Sequence, residues 1–235
     1  MKSDIGPRAA RGRRIQARLR KDGWSGVVRA TLDAMWIDRR LDLFCRPIAA
    51  GGPDEFPSPP DSWVSLGAGD LDEYLGLRPE QSREEIRRRF DLGNLCFGVR
   101  RDHRLVAAVW GAPAGTPARV DFLDCWIQPM DRAFYAFDGL VAPECRGARL
   151  GESLGHAYCA HMRAAGLDTV VSLIWPLNRV TQGRLRILTD GRVGQIIRHR
   201  WRGSLCIDLV LAPGVDDVPV RLIAAPNGAA RKGDR

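Results

Sequence analysis

The sequence predicts a mixed α/β domain on a single central sheet with flanking helices, preceded by a basic helical arm. Composition is the first observation behind this. The chain has 235 residues, 45% of them hydrophobic and 27% charged, which is enough for one sizeable buried core and excludes a disordered chain. The second is the order of patterns. From about residue 63 to 211, runs at the strand period are interleaved with runs at the helical period. One strand–helix–strand unit among them implies a parallel pair with a right-handed crossover. The third is charge: residues 1–30 hold nine Lys or Arg against two Asp or Glu, a net +7 of the chain's +8.

The arm comes first. Ile15, Leu19, Val27, Val28, Leu32 and Met35 form a broken apolar side among Arg11, Arg13, Arg14, Arg18, Arg20 and Lys21, interrupted at Gly23. Residues 41–45 alternate weakly, as a strand would, and the Gly/Pro-rich stretch from Ala49 to Pro60 reads as a linker. Residues 63–66 are expected as a short strand and 70–77 as a short helix. The next helix begins at Ser82, with Glu85 at capping-box spacing, carries Ile86 and Phe90 one turn apart, and stops at Gly93. Leu95, Phe97 and Val99 alternate as a strand, and Arg101-Asp102-His103 turns it into the apolar run 105–110. Residues 120–127 and 133–141 are expected as two further strands. Leu150, Leu154, Ala157, Tyr158, Met162 and Ala165 repeat at helical spacing up to Gly166. Residues 170–175 read as a buried strand, 178–188 as a helix, and 193–198 with 205–211 as a closing strand pair. The expected division is an arm over 1–48, a linker over 49–62, the domain over 63–213 and a tail over 214–235.

Charge and cysteine usage narrow the classes further. With the basic excess confined to the arm, the remaining 205 residues balance at 27 basic against 26 acidic side chains, and a nucleic-acid partner is not expected. Cys45, Cys96, Cys125, Cys145, Cys159 and Cys206 are scattered without metal-ligand spacing, so neither a structural metal nor a disulfide framework is expected. His156 and His161 lie five apart on one helix and share no face. No apolar run reaches the roughly 20 residues of a membrane span, and the N-terminal segment lacks a signal-peptide core, which points to a cytoplasmic protein.

The stretch Phe137-Asp138-Gly139-Leu140-Val141-Ala142-Pro143-Glu144-Cys145-Arg146-Gly147-Ala148-Arg149-Leu150-Gly151-Glu152 carries the chemistry. A strand runs into a Pro-stopped turn and then a Gly-containing loop that opens a helix. Unpaired N–H groups and the positive end of the macrodipole make such a helix start an anion site, and Arg146 and Arg149 add charge beside it. A plain strand-to-helix turn with two solvated arginines fits the same pattern.

Arg146-Gly147-Ala148-Arg149-Leu150-Gly151, after Val141-Ala142-Pro143-Glu144, resembles the acyl-CoA pyrophosphate loop of the GNAT superfamily of N-acetyltransferases, (Gln/Arg)-x-x-Gly-x-(Gly/Ala). Its first and last positions match, while Arg149 stands where the middle glycine usually is. The element order over 63–211 is also that of the superfamily, and Asn178 and Gly191-Arg192-Val193 stand at family-like positions. The resemblance implies an acyl-CoA N-acyltransferase-like fold with acetyl-CoA as co-substrate. The backbone of Leu140 and Val141 would pair with the pantetheine arm, and the N–H groups of Arg146, Gly147, Ala148, Arg149, Leu150 and Gly151 would hold the diphosphate, with Asn178 close by. A primary amine, an amino sugar or another small metabolite, would then attack the thioester directly.

Asp138, three residues before Val141, is the first choice for the base, with Asp121, Asp124 and Tyr135 as alternatives; a strand-end Asp paired with a nearby Arg is the competing reading. The family's Tyr on the helix after Asn178 is missing. Cys145 reads as an incidental loop residue, Trp110, Trp126 and Trp175 as core or pocket wall, and Arg198, Arg200 and Arg202 as a solvated basic edge. An alternative from another class stays open: a weak or inactive acyl-CoA-binding protein whose basic arm contacts anionic lipid, nucleic acid or a protein partner. A peripheral contact of the arm with an anionic membrane and a homodimer are left open in the same way.

Overall fold

The computed structural model describes residues 37–48, 62–147, 150–178, 192–201 and 204–226. The expected basic helix of the arm, and the helix expected after Asn178, lie outside these residues. The described elements are, in chain order, β1 (Ile37–Pro47), β2 (Ser62–Leu66), α1 (Leu71–Leu77), α2 (Arg83–Asp91), β3 (Leu95–Arg101), β4 (Arg104–Pro113), β5 (Ala118–Val120), β6 (Cys125–Pro129), β7 (Ala133–Val141), α3 (Leu150–Ala164), β8 (Thr169–Ile174), β9 (Arg192–Trp201), β10 (Ser204–Leu211) and β11 (Val220–Ile223).

Local chemistry explains most boundaries. The Ser82 hydroxyl accepts a hydrogen bond from the Glu85 N–H at 3.1 Å and caps α2. Gly93 ends that helix at φ +85, which a residue with a Cβ rarely adopts. Asp102 and His103 hold the β3–β4 turn at φ 49 and 61, and the apolar run of β4 is buried along most of its length.

Eight strands form one mixed sheet in the order β10-β9-β1-β8-β7-β4-β3-β2, with β7 and β8 its parallel pair. This is the mixed α/β architecture expected from the sequence. Side chains of β4 divide the core: Trp110 faces Tyr74 of α1, whereas Gly111 faces Tyr158 of α3. So α1 and α2 cover one face and α3 the other. A second sheet, in the order β11-β6-β5, lies on the α1–α2 side, where Leu123 and Ile127 join Ala112, Tyr135 and Val171 in one core cluster.

Three expectations need correction. The sheet does not begin near residue 63: β1, placed in the arm, lies between β8 and β9 and pairs antiparallel with both, with Leu43 fully buried. Alternating Leu41, Leu43 and Cys45 are part of the core cluster, which holds the strand in the interior. Residues 120–127 are not one strand, because a turn at 121–124 separates β5 from β6. The stretch expected as a tail beyond the domain contributes a strand to it: β11 pairs with β6, from Val220 opposite Pro129 to Ile223 opposite Trp126.

Candidate functional site

A bulge and a parting of strands create the site. Ala108 pairs with Leu140 and Trp110 with Phe137, so Asp138 and Gly139 together oppose Val109. Asp138 sits at φ +50, a left-handed conformation that costs a non-glycine residue about 1–2 kcal/mol. Strict alternation would send its side chain to the face opposite Phe137. The bulge instead turns it onto the α1–α2 face, toward Tyr74, Arg78 and Arg89. On the other side of β7, parallel pairing with β8 runs from Ala133 opposite Thr169 to Ala136 opposite Ser172 and ends there. Beyond it β7 stays with β4 and β8 stays with β1, so the two strands part. The edge of β7 from 137 to 141 that faces the opening has no ladder partner among the described residues.

Asp138 is the centre of a buried knot. Arg89 Nη1 donates to its Oδ2 at 2.7 Å, Arg78 Nη2 donates to Oδ1, and the Tyr74 hydroxyl donates to Oδ2 at 3.3 Å. The Asp138 side chain is 13% exposed. Arg89 is buried and lies over the Trp110 and Phe137 rings, at 5.3 and 5.4 Å. Burial alone would lower the Arg89 pKa, but the Asp138 carboxylate holds it above its ordinary value. Tyr74 is pushed up by burial and by the charge of Asp138. This is the ion-paired form of Asp138, with both oxygens engaged.

Arg89 also reaches Asp121 Oδ2 at 3.6 Å, so one guanidinium bridges two carboxylates. Asp121 differs from Asp138 in access: its side chain is 54% exposed. Partial burial pushes its pKa up against the pull of Arg89, with Glu85 pushing in the same direction as burial. Asp124 pairs with Arg119 at 2.9 Å. Tyr135, one of the expected alternatives, is buried in the core with its pKa raised by burial.

Below the opening, Ala142 leads into a turn at Pro143–Cys145, and Arg146 reaches back to donate from Nε to the Val141 carbonyl at 3.3 Å. Gly147 follows at φ +86 with open space around the position of a Cβ. Ala148 and Arg149 lie outside the described residues, so the departure at Arg149 has no structural account. Leu150 opens α3 with its side chain in the core, which leaves only its backbone for a ligand. A Cβ at Gly151 would lie 3.2 Å from Val141 Cγ2. This glycine therefore lets the helix start close to β7, which brings its first-turn N–H groups beside the unpaired strand edge. Asn178 stands on the opposite wall, its N–H closing a turn onto the Trp175 carbonyl at 2.9 Å.

Other expectations fall differently. Trp110 is fully buried and Trp126 nearly so, as expected, but Trp175 is 51% exposed. Arg198 is no solvated edge: it is buried, and its Nη1 reaches the Leu123 carbonyl at 3.5 Å. Cys145 is buried beside Arg101, whose Nη1 lies 3.7 Å from its sulfur. Sequence reasoning missed Tyr74, Arg78 and Arg89. Arg89 carried a readable signal, because with Ile86 and Phe90 it falls at i, i+3 and i+4 on the apolar face of α2. A charged residue in that stripe must find a partner.

Among the described residues no cluster of three His, Cys, Asp or Glu could hold a metal, and no helix is long and apolar enough to cross a membrane. No protein-family model and no curated protein matches the chain. Solved structures do resemble it. One is described as an acetyltransferase of the GNAT family from Novosphingobium aromaticivorans, with 22% identity and TM-score 0.44, over 65% of this chain and 59% of that one. A ribosomal-protein-alanine N-acetyltransferase from Brucella melitensis has 13% identity and TM-score 0.42, over 55% of this chain and 90% of that one. The PaiA N-acetyltransferase of Thermoplasma acidophilum, in complex with coenzyme A, has 12% identity and TM-score 0.42, over 65% and 99%.

Proposed function

We infer that the protein is an acyl-CoA-dependent N-acyltransferase that moves an acetyl group from acetyl-CoA to a primary amine. The observation that carries this reading is the parting of β7 from β8 after Ala136 and Ser172, with a glycine-containing turn and the start of α3 at the mouth of the opening. An unpaired strand edge accepts an extended amide-bearing chain as one more strand, as a pantetheine arm would be. The N-terminus of a 15-residue helix, with Gly147 open beside it, suits a diphosphate. The residues present therefore fit acetyl-CoA: 139–141 for the pantetheine arm, and Arg146, Gly147 and the first turn of α3 for the diphosphate.

The acceptor approaches from the α1–α2 side of the bulge. Its nitrogen forms a bond to the thioester carbonyl carbon, the carbon–sulfur bond breaks, and coenzyme A leaves as the thiol once it takes up a proton. The nitrogen must lose a proton, and Asp121 fits that role better than Asp138. It is half-exposed, its pKa is raised, and it stands one guanidinium away from the bulge. Asp138 acts as a positioning residue, since its oxygens already accept from three donors.

Calorimetric titration with acetyl-CoA, followed by thiol release over a panel of primary amines, tests the reading. Binding near one equivalent with amine-dependent release is expected. Binding without release on any amine would favour the non-catalytic alternative, and no binding would remove both.

A further inference from the structure

Resting on the acyl-transfer reading, we propose that the acceptor amine is carried on a flat-faced ring, and that Phe122 and Trp175 form the platform on which this ring lies. Both side chains are exposed, Phe122 in the turn between β5 and β6 and Trp175 directly after β8. Their ring centroids lie 6.0 Å apart at an interplanar angle of 47°. Exposed Leu177 extends the same apolar stretch of chain.

The turn that presents Phe122 is firmly held. Leu123 anchors it in the core, fully buried. From β1, Arg39 Nη1 donates to the Phe122 carbonyl at 2.8 Å and sets its guanidinium carbon 5.3 Å over the Phe122 ring. From β9, Arg198 reaches the Leu123 carbonyl, and from β5, Arg119 ties down Asp121 and Asp124 at 3.3 and 2.9 Å. Asp124 is kept at φ +52. Arginines from three strands and a strained backbone thus fix the turn, and the Phe122 ring it presents keeps 38% of its surface in water beside the more exposed Trp175. That arrangement suits a ligand-binding surface.

Position and charge select the ligand. Trp175 is one residue beyond Ile174, on the β8 wall of the opening. Asp121 precedes Phe122 and shares Arg89 with Asp138 at the bulge. A ring lying on the platform therefore has its amine on the side of a half-exposed carboxylate that can receive the ammonium and its proton. Sugar and aromatic rings both present a face of C–H or π character to Phe and Trp, whereas an open-chain amine has no such face.

The test is calorimetric titration of the full chain with glucosamine, tyramine and putrescine, in the presence and absence of coenzyme A. At least one ring amine is expected to bind about tenfold more tightly than putrescine, a difference of about 1.4 kcal/mol. Trp175→Ala should weaken that binding about three- to tenfold, in line with the usual strength of aromatic contacts. Trp175→Phe should restore most of it, and an unaltered thermal unfolding curve would establish that each variant is folded. Tighter binding of glucosamine assigns a sugar ring, and tighter binding of tyramine an aromatic one. Putrescine binding as tightly as both ring amines, no measurable ring-amine binding, or ring-amine affinity indifferent to Trp175→Ala would overturn the proposal. A separate titration with acetyl-CoA keeps the two readings apart, because loss of that signal alone strikes acyl transfer and leaves the platform result standing.

Discussion

Arg89 on α2 holds the Asp138 carboxylate of β7 at 2.7 Å while lying against the rings of Trp110 and Phe137. Through this contact the helices on one face of the sheet are tied to the bulge that begins the strand opening. Removing one partner of a buried pair leaves the other charge without compensation, typically at about 3–5 kcal/mol. Asp138→Ala is therefore expected to lower stability in urea by about that much. Asp121→Asn, at a half-exposed position, should change it by less than about 1 kcal/mol. A small loss for Asp138→Ala would remove the knot from the account.

Asp121 should also show itself in the pH profile. Only the deprotonated Asp121 carboxylate can take a proton, and its pKa is raised by burial. Turnover should fall as pH drops through that raised value, at a higher pH than an ordinary aspartate gives. The limb should disappear from the kcat/KM profile of Asp121→Asn. The linkage to stability has the opposite sign. The folded state holds this proton more tightly than the unfolded chain, so the contribution is complete below the unfolded pKa and is lost as pH rises through the folded one.

Tyr158 offers a packing test. Its hydroxyl is buried with no hydrogen-bond partner among the described residues, close against Gly111, where an added Cβ would overlap it. Tyr158→Phe is expected to be neutral or stabilising by up to about 1 kcal/mol, since it removes an unsatisfied polar group. Gly111→Ala should destabilise by about 1–3 kcal/mol or more, and Tyr158→Phe should relieve part of that cost in the double variant. Thermal unfolding of the three variants measures this. Full turnover in Tyr158→Phe would also exclude this hydroxyl as the proton donor to the leaving thiolate.

The position of β1 makes truncation costly. A chain beginning near residue 50 would lack a strand that pairs on both sides, together with Leu43 and the Asp42 carboxylate, which accepts from Gln195 Nε2 at 2.7 Å. It is expected to lose the cooperative unfolding transition seen by circular dichroism in the full chain. A chain of that length with a normal transition would mean that β1 is dispensable.

These contacts mark the limit of what the sequence made legible. Strands β2, β3, β4, β7 and β8, the three described α-helices and the glycine stops at 93 and 166 were readable, because period, caps and left-handed glycines are local signals. The place of β1 was not. Its alternation announced a strand, but pairing across more than 120 residues of chain depends on which neighbours are left open by the rest of the sheet. The break at 121–124 was hidden because Asp124 adopts a positive φ that glycine usually signals. Asp138 was singled out from its place three residues before Val141. Its orientation was illegible, since the bulge that turns it toward Arg89 reverses the facing that alternation implies. Phe122 carried no signal at all, as the arginines that hold its turn come from β1 and β9, far away in the chain.

The central claim is that acetyl-CoA lies along the free edge of β7 with its diphosphate at the start of α3. Amide hydrogen exchange with and without acetyl-CoA tests it most directly. The account predicts slowed exchange confined mainly to residues 139–153, abolished by Gly151→Glu, whose side chain would crowd Val141 and bring a negative charge to the diphosphate. Unchanged exchange across that stretch at saturating acetyl-CoA, or protection only elsewhere on the sheet, would contradict it.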